Sequence, residues 1–352
     1  MLEIDGSQGE GGGQVLRTCL SLAALTGRPF HLHHIRANRR QPGLRPQHLT
    51  AVRAVAAICQ AQVAGDFLNA TTLEFHPQSQ PQAGHYTFDV TQAAAGGSAG
   101  AATLIFQAVL WPLLFAANPS HLTLRGGTHV PFSPPFHYLT EVFGPAAARL
   151  GAKFTAELSA WGWYPVGGGE VTAVIHPARQ LNAATFRRAA NRPLFVHGVA
   201  AVTNLPAHIP QRMANRAENL LRQARLPVQV TAVRERGTGP GAGIVLWLPY
   251  AGFTSLGRKG LPADKVAETA VAECLAFVDN GADVDKRLAD QLLLPLALAQ
   301  GRSQFTTDQI TQHTLTNAAL LRDWLDVTVV IDGRLGQPGT IIIDGAGYMP
   351  AL

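Results

Sequence analysis

The stretch GGGQVLRTCLSLAALTGRPFHLHHIRANR, residues 11–39, decides how the rest of the chain is read. Three glycines lead into about four turns of almost wholly apolar sequence, the pattern of a helix packed on a sheet. Gly27 supplies a left-handed helix stop. Residues 29–35 then read as a short strand, and Arg36, Asn38 and Arg39 close the stretch with a polar cluster. The same plan returns at 96–129, GGSAGAATLIFQAVLWPLLFAANPSHLTLRGGTH, and at 285–313, DKRLADQLLLPLALAQGRSQFTTDQITQH. Helix stops are expected at Asn118 and Gly301. Helix, glycine and strand recur in any α/β protein; a polar cluster at the same place in each copy marks true repetition.

The second interval between helix stops is about twice the first, so an insertion about one repeat long interrupts the series. Residues 184–280 are the candidate. They begin near the Arg/Asn-rich TFRRAANRP and hold apparent strands at 194–205, 227–236 and 243–252. A helix at 209–224 lies between the first two, and another, with Pro at its start and Gly at its end, spans 262–281. The expected organisation is a three-repeat body, 1–183 plus 281–352, around an inserted α+β domain, 184–280.

Composition bounds the function classes. Of 352 residues 47% are hydrophobic and only 14% charged, which suits a well-packed globule and excludes a disordered chain. The net charge of +5 is compatible with a polyanionic ligand without demanding one. Cys19, Cys59 and Cys274 are too scattered for a disulfide framework or a CxxC site and read as buried residues of a reducing compartment. No signal peptide is evident, so a cytoplasmic location is expected. The most apolar run, 101–117, is short for a membrane span and contains Gln107 and Pro112; it reads as a buried helix.

Four stretches carry chemistry. Between Gly6 and Gly13 five of eight residues are glycine, before the first helix. Such a loop offers backbone N–H groups to an anion, yet it lacks the lysine of a P-loop and the spacing of a dinucleotide fingerprint. Glu10 inside it is an odd choice for anion binding alone and suits a Mg²⁺ ligand or a partner for Arg or hydroxyl groups. Arg17, one turn into the helix, can reach back to the anion. The second stretch gathers Arg36, Arg39, Arg40, Arg45, Gln47 and His48, whose guanidinium forks suit phosphate oxygens. The third, WGWYPVGGGEVTAVI at 161–175, permits close backbone approach at its glycines, and its aromatics could stack bases or fill a core. In the fourth, TTDQITQHTLTNAALL, His313 is ringed by Thr311, Thr314, Thr316 and Asn317 and holds the place that Arg39 and His129 hold in the other repeats. A neutral imidazole there is a competent nucleophile toward phosphorus.

Taken in order, DGSQGEGGGQVLR (5–17), IRANRRQPGLRPQHLTA (35–51), GGTHVPFSPP (126–135), YPVGGGEV (164–171), LADQLLLPLALA (288–299) and HTLTNAALL (313–321) resemble the RNA 3′-terminal phosphate cyclase family. The resemblance implies an α+β fold of three tandem βαβαββ-like repeats, similar to the enolpyruvyl-transferase architecture, with a small α+β domain inserted in the last. It implies ATP-dependent conversion of an RNA 3′-phosphate end to a 2′,3′-cyclic phosphate through a histidine–AMP intermediate and an RNA-adenylate. On that model His313 is the nucleophile, with Glu10, Arg17 and Arg39 as further catalytic groups. Glu10 holds Mg²⁺ or Mn²⁺; Gln14, Pro131, Tyr138, Asp290 and Gln291 surround ATP; Arg36, Arg39, Arg40, Gln47 and His48 take phosphate and RNA. RNA 3′-phosphate ends and ATP are the expected partners, with no membrane, and a homodimer stays open. Two positions depart from the family pattern: Trp161 stands before Gly162 where a basic residue is usual, and Arg287 stands where some members carry an aromatic. The competing readings are a non-catalytic, RNA-binding assembly factor, which would lack the histidine, and an enolpyruvyl transferase, which would need neither that histidine nor ATP.

Overall fold

The computed structural model describes residues 1–93, 98–188 and 194–350. The first unit runs β1 (Leu2–Asp5), α1 (Gly13–Thr26), β2 (Phe30–His33), α2 (Pro46–Cys59), β3 (Gln62–Ala64) and β4 (Leu73–His76). Its sheet has the order β1-β2-β4-β3, the first pair parallel and the others antiparallel. Strand alternation sets the faces: Phe30, Leu32, Leu73 and Phe75 are buried, while His31 and His33 look outward.

The second unit repeats this plan with β5 (His85–Asp89), α3 (Ala102–Leu114), β6 (Ser120–Gly126), a helical segment, β7 (Lys153–Ala160) and β8 (Gly169–His176). The helical segment is α4 (Phe136–Tyr138), a π-helical turn at Leu139–Phe143 and α5 (Gly144–Arg149). Sheet order is again first-second-fourth-third, β5-β6-β8-β7. Residues 182–185 then lie parallel to a later strand, and the chain departs into β9 (Val196–Thr203), α6 (His208–Gln223), β10 (Val228–Glu235), β11 (Gly241–Leu248), β12 (Ala251–Leu256) and α7 (Ala263–Asn280). It returns with α8 (Lys286–Leu298), β13 (Gln300–Thr307), α9 (Gln312–Trp324), β14 (Thr328–Gly333) and β15 (Gly339–Ala346). Bridges from Asn182 to Gln300 and from Thr185 to Gln304 put 182–185 beside β13, completing the same order with β15 and β14. The fold is α+β, built from three units of one plan.

The helices meet centrally. In α3 every residue but Gln107 is buried, which is why its sequence is apolar all round. Polar side chains tie the units together through that core. Ser21 of α1 donates to the Ala108 carbonyl of α3 at 2.9 Å, Gln107 to Gln291 of α8 at 2.6 Å, and Thr18 to Asn317 of α9 at 3.1 Å. A second hydrophobic core, including Val196, Leu246, Phe253, Val271 and Phe277, joins α6 and α7 to the sheet β10-β9-β11-β12.

Helix stops differ from the sequence expectation in two of three units. Gly27 caps α1 at φ +69°. However, α3 ends at Leu114 with Phe115 as cap, and Ala299 leaves α8 directly in extended conformation. There the pairing of β13 takes over at once, Gln300 N–H donating to the Leu181 carbonyl, and Gly301 falls inside the strand. Gly96 and Gly97 of the second repeat, and residues 189–193 at the expected start of the insertion, lie outside the described residues. Among the described residues no helix is long and apolar enough to cross a membrane.

The glycine triplet at 167–169 permits close approach, as its composition suggests. A Cβ on Gly168 would lie 2.3 Å from Thr238 Oγ1, and one on Gly241 would lie 2.0 Å from the Trp163 ring. Trp161 and Trp163 beside it are engaged with other rings, while Tyr164 is 68% exposed. Trp161 stacks on His129 at 4.5 Å and on Trp163 at 5.6 Å, and Trp163 is 4% exposed.

The junction between second unit, inserted sheet and α8 converges on Asp285. Its carboxylate caps α8 by accepting from Arg287 and Leu288 N–H at 2.7 and 3.0 Å. It also accepts from Gly252 N–H at 2.8 Å and Tyr138 O–H at 2.9 Å. Asp285→Ala leaves those buried donors without an acceptor and should cost about 3–5 kcal/mol. A urea midpoint shifted by less than the equivalent of about 1 kcal/mol would refute this node.

Candidate active site

Several helices begin at one place. The starts of α1 and α2 touch, since a Cβ on Gly13 would lie 2.3 Å from His48 Nε2. Gln47 of α2 accepts from the N–H of Ala101, the N-cap of α3, at 3.0 Å. The glycine loop lies on the start of α9: Glu10 N–H donates to Thr316 Oγ1 at 3.1 Å, and Gly9, at φ +62°, leaves room for that hydroxyl. Each helix start adds unpaired N–H groups and the positive end of a helix dipole, so the region favours anions before any arginine is counted. No side chain caps α1, whose N-cap is Gly12.

The loop is above all a seat for a carboxylate. A Cβ on Gly12 would lie 2.0 Å from Glu10 Oε2, so only glycine lets the Glu10 side chain fold back over its own loop. There Glu10 is ion-paired with Arg39 and its Oε2 stands 3.4 Å from His313 Nδ1. Both of these facing atoms are buried and have no hydrogen-bond partner. His313 is the second residue of α9, and its side chain is 42% exposed.

Electrostatics hold the imidazoles neutral. His313 is lowered to about 4, first by burial and then by the charges of Arg17 and Arg39. His48 falls well below the ordinary range through burial and the charges of Arg36, Arg17 and Arg45. Its Nδ1 accepts from the Arg45 N–H at 3.2 Å, which leaves Nε2 toward Gly13. Burial brings Arg17 down to about 10, still fully charged at neutral pH.

The structure therefore brings together Glu10, Arg17, Arg39, His48 and His313, with Gln14 half-buried beside them in the first turn of α1. Other expected groups stand differently. Arg36 spends one guanidinium nitrogen on the carbonyls of Gln41 and Gly43, at 2.8 and 2.9 Å, and so holds its own loop. Arg40 and Pro131 are exposed.

Tyr138, expected beside ATP, is 1% exposed with its hydroxyl on Asp285, so neither face of its ring is open to a nucleotide. Asp290, expected near adenine, is also buried. Its Oδ1 accepts from Thr311 and Thr314 hydroxyls at 2.7 and 2.5 Å, and burial raises its pKa to about 7. It anchors the N-terminus of α9, which carries His313. Gln291 binds Gln107 across the core, and Arg287 is ion-paired at 3.0 Å with Glu273 of α7 instead of presenting a free plane to a base.

Two contributors escaped sequence reasoning. Thr316 holds the Glu10 backbone, and Asn38 donates to the Ser7 carbonyl at 2.8 Å, tying the glycine loop to the arginine loop. The hydroxyl-rich HTLTN run was a signal for the first. The second lies in the polar cluster at 36–39, but its contact with residue 7 could not be read from the sequence.

Known proteins match the chain along most of its length. The family model described as RNA 3′-terminal phosphate cyclase matches residues 8–331. The RNA 3′-terminal phosphate cyclase of Trichormus variabilis is 53% identical over 91% of this chain and 93% of its own length. That of Methylococcus capsulatus is 48% identical over 97% and 96%, and that of Pyrobaculum aerophilum 37% identical over 99% of both. The solved enolpyruvyl transferase NikO of Streptomyces tendae aligns with a TM-score of 0.39 and 13% identity, covering 98% of this chain and 48% of that one. The repeat plan rests on the sheets described above and not on that alignment. With a family match along most of its length and relatives of this identity, the chain belongs to the RNA 3′-terminal phosphate cyclase family.

Proposed function

We propose that this chain is an ATP-dependent enzyme that closes RNA 3′-terminal phosphates to 2′,3′-cyclic phosphates, with His313 as the nucleophile. The observation that carries the reading is a neutral imidazole at a helix start, backed by Glu10 and flanked by Arg17 and Arg39. Glu10 faces Nδ1, which favours the tautomer with the proton there and leaves the Nε2 lone pair to attack the α-phosphorus. The N–P bond forms as the bond to pyrophosphate breaks. The negative charge of Glu10, facing Nδ1, offsets the positive charge growing on the ring.

AMP then passes to an oxygen of the RNA 3′-phosphate, breaking the N–P bond. The adjacent 2′-hydroxyl attacks that phosphorus, loses its proton and expels AMP. A terminal phosphate dianion has no leaving group of its own, so adenylation supplies one, and the protein's share is positioning and charge neutralisation. Arg17, Arg39 and Arg40 are the arginines available for this.

A divalent ion fits Glu10: the partnerless, buried Oε2 suits a ligand atom, and Mg²⁺ is commonly held by one carboxylate together with phosphate oxygens and water. When bound, Mg²⁺ or Mn²⁺ would screen the charge of the departing pyrophosphate. Arg39 would exchange its contact with Glu10 for phosphate oxygens. The second hydrophobic core supports an inserted domain within the expected 184–280, but Ala184 and Phe186 pack in the first core and Thr185 bridges to β13, so the catalytic body extends past 183. A non-catalytic assembly factor would have no use for an imidazole held neutral among arginines.

Incubation with α-labelled ATP and Mg²⁺ should leave an acid-labile, alkali-stable label on the protein. His313→Ala should reduce it by a factor on the order of 10³ or more, with circular dichroism unchanged. Labelling that survives this change would remove His313 from the role. Because the pKa of His313 is lowered to about 4, its neutral form dominates above that value. The single-turnover adenylation rate should stay flat from about pH 8 down to about 5 and fall only as the pH drops through 4; a decline centred near 6.5 would contradict the partly buried placement beside Arg17 and Arg39. Asp290→Ala should slow adenylation about 10- to 100-fold with little change in ATP affinity, because it frees Thr311 and Thr314 at the start of α9. Asp290→Asn, which keeps an acceptor, should recover most of the rate. A loss of ATP affinity alone would return Asp290 to the nucleotide pocket.

A further inference from the structure

The first sheet presents acids opposite imidazoles on its outer face. In the parallel register of β1 and β2, Glu3 lies beside His31 and Asp5 beside His33, while Ile4 and Leu32 between them point into the core. His34, the first residue past β2, takes a left-handed φ of +54° that a side-chain-bearing residue adopts rarely, and this turns its ring back over Asp5. Three ligand atoms then converge: His33 Nδ1 and His34 Nδ1 are 3.1 Å apart, and Asp5 Oδ1 lies 3.1 Å from the second and 3.8 Å from the first.

These separations have a metric meaning. Ligands bound tetrahedrally at about 2.0–2.1 Å stand about 3.3–3.4 Å from one another. The three distances bracket that value. Hydrogen bonding accounts for the cluster less well. The two facing Nδ1 atoms can share only one proton, and Asp5 Oδ1 already accepts from the Ser7 N–H at 2.9 Å and the Ser7 hydroxyl at 2.7 Å. Oδ1 is the oxygen at ligand distance, and its bonds from Ser7 would orient it as a ligand's outer hydrogen bonds do.

We propose that Asp5, His33 and His34 bind one divalent cation of the Zn²⁺, Co²⁺ or Ni²⁺ class, with solvent completing the coordination. Two imidazoles and one carboxylate select such borderline ions over Mg²⁺ and Ca²⁺, which prefer all-oxygen sites. The position gives the ion its task. Asp5 ends the strand that leads into the Glu10 loop, and His33 and His34 precede the loop bearing Arg39. Gly6 N–H donates to the His33 carbonyl at 2.8 Å at the same spot. A cation here clips the roots of the two loops whose tips pair Glu10 with Arg39, and it does so outside the catalytic cluster.

Metal-free protein without a histidine tag, titrated with Zn²⁺ by calorimetry, should take up one equivalent at this site. The Co²⁺ form should show the visible absorption of a four-coordinate ion. Tm should rise by about 4 °C when Zn²⁺ reaches about 100 times its dissociation constant. The double variant His33→Asn, His34→Asn retains a residue that tolerates left-handed backbone at 34 and should fold with unchanged Tm in EDTA. It should bind one equivalent fewer, or bind that equivalent at least about 100-fold more weakly. The control His31→Gln, His76→Gln should keep it. No uptake by the parent protein, undiminished uptake by the double variant, or loss confined to the control would each overturn the site.

Discussion

Everything at the candidate site depends on how closely the glycine loop lets side chains approach its backbone, both its own Glu10 and Thr316 in the first turns of α9. At Gly9 a methyl group would meet the Thr316 hydroxyl, and at Gly12 it would meet the carboxylate of Glu10. Removing side chains there lets a carboxylate, an imidazole and a guanidinium from three distant segments share one small volume. In a P-loop glycine makes room for phosphate against backbone N–H groups. Here it also makes room for the protein's own acid.

Placing that acid at the head of several helices sets the electrostatics. Helix starts and arginines favour a polyanion, and burial, followed by the charges of Arg17 and Arg39, disfavours a protonated imidazole, so His313 stays neutral. Glu10 counters part of that field at one ring nitrogen, which separates the roles of the two nitrogens. Asp290 works at a distance: buried and bonded to two hydroxyls of the α9 capping turn, it fixes the direction in which that helix begins. The three-repeat plan serves this end. Helices of equivalent units pack together at the centre, and short polar ties such as Thr18 to Asn317 hold their relative registers.

Much was legible in the chain. The apolar helix, strand and polar cluster recur because each copy buries a helix against a similar sheet, and burial imposes the same pattern wherever it acts. The His313 surroundings were readable because hydroxyl and amide side chains are out of place on a core helix. The helix stop at Gly301 was misplaced because strand pairing, a non-local interaction, overrode local turn propensity, while α3 ends at Leu114, short of Asn118. Tyr138 and Asp290 were expected beside the nucleotide from motif position, which carries no burial; in the fold Tyr138 bonds to Asp285 and Asp290 to two hydroxyls at the start of α9. The His33–His34–Asp5 cluster was invisible, since only the parallel register of β1 and β2 brings residue 5 beside residue 33.

What the sequence by itself determined is periodicity, and with it the elements, their threefold recurrence and the residue types offered to chemistry. These follow from burial and backbone conformation within short windows of chain. What only the tertiary structure decided is which of those residues share a space and which are spent on the scaffold. Glu10 and His313 are about 300 residues apart along the chain, and no local propensity measures a distance that arises only when separate helices close on one core.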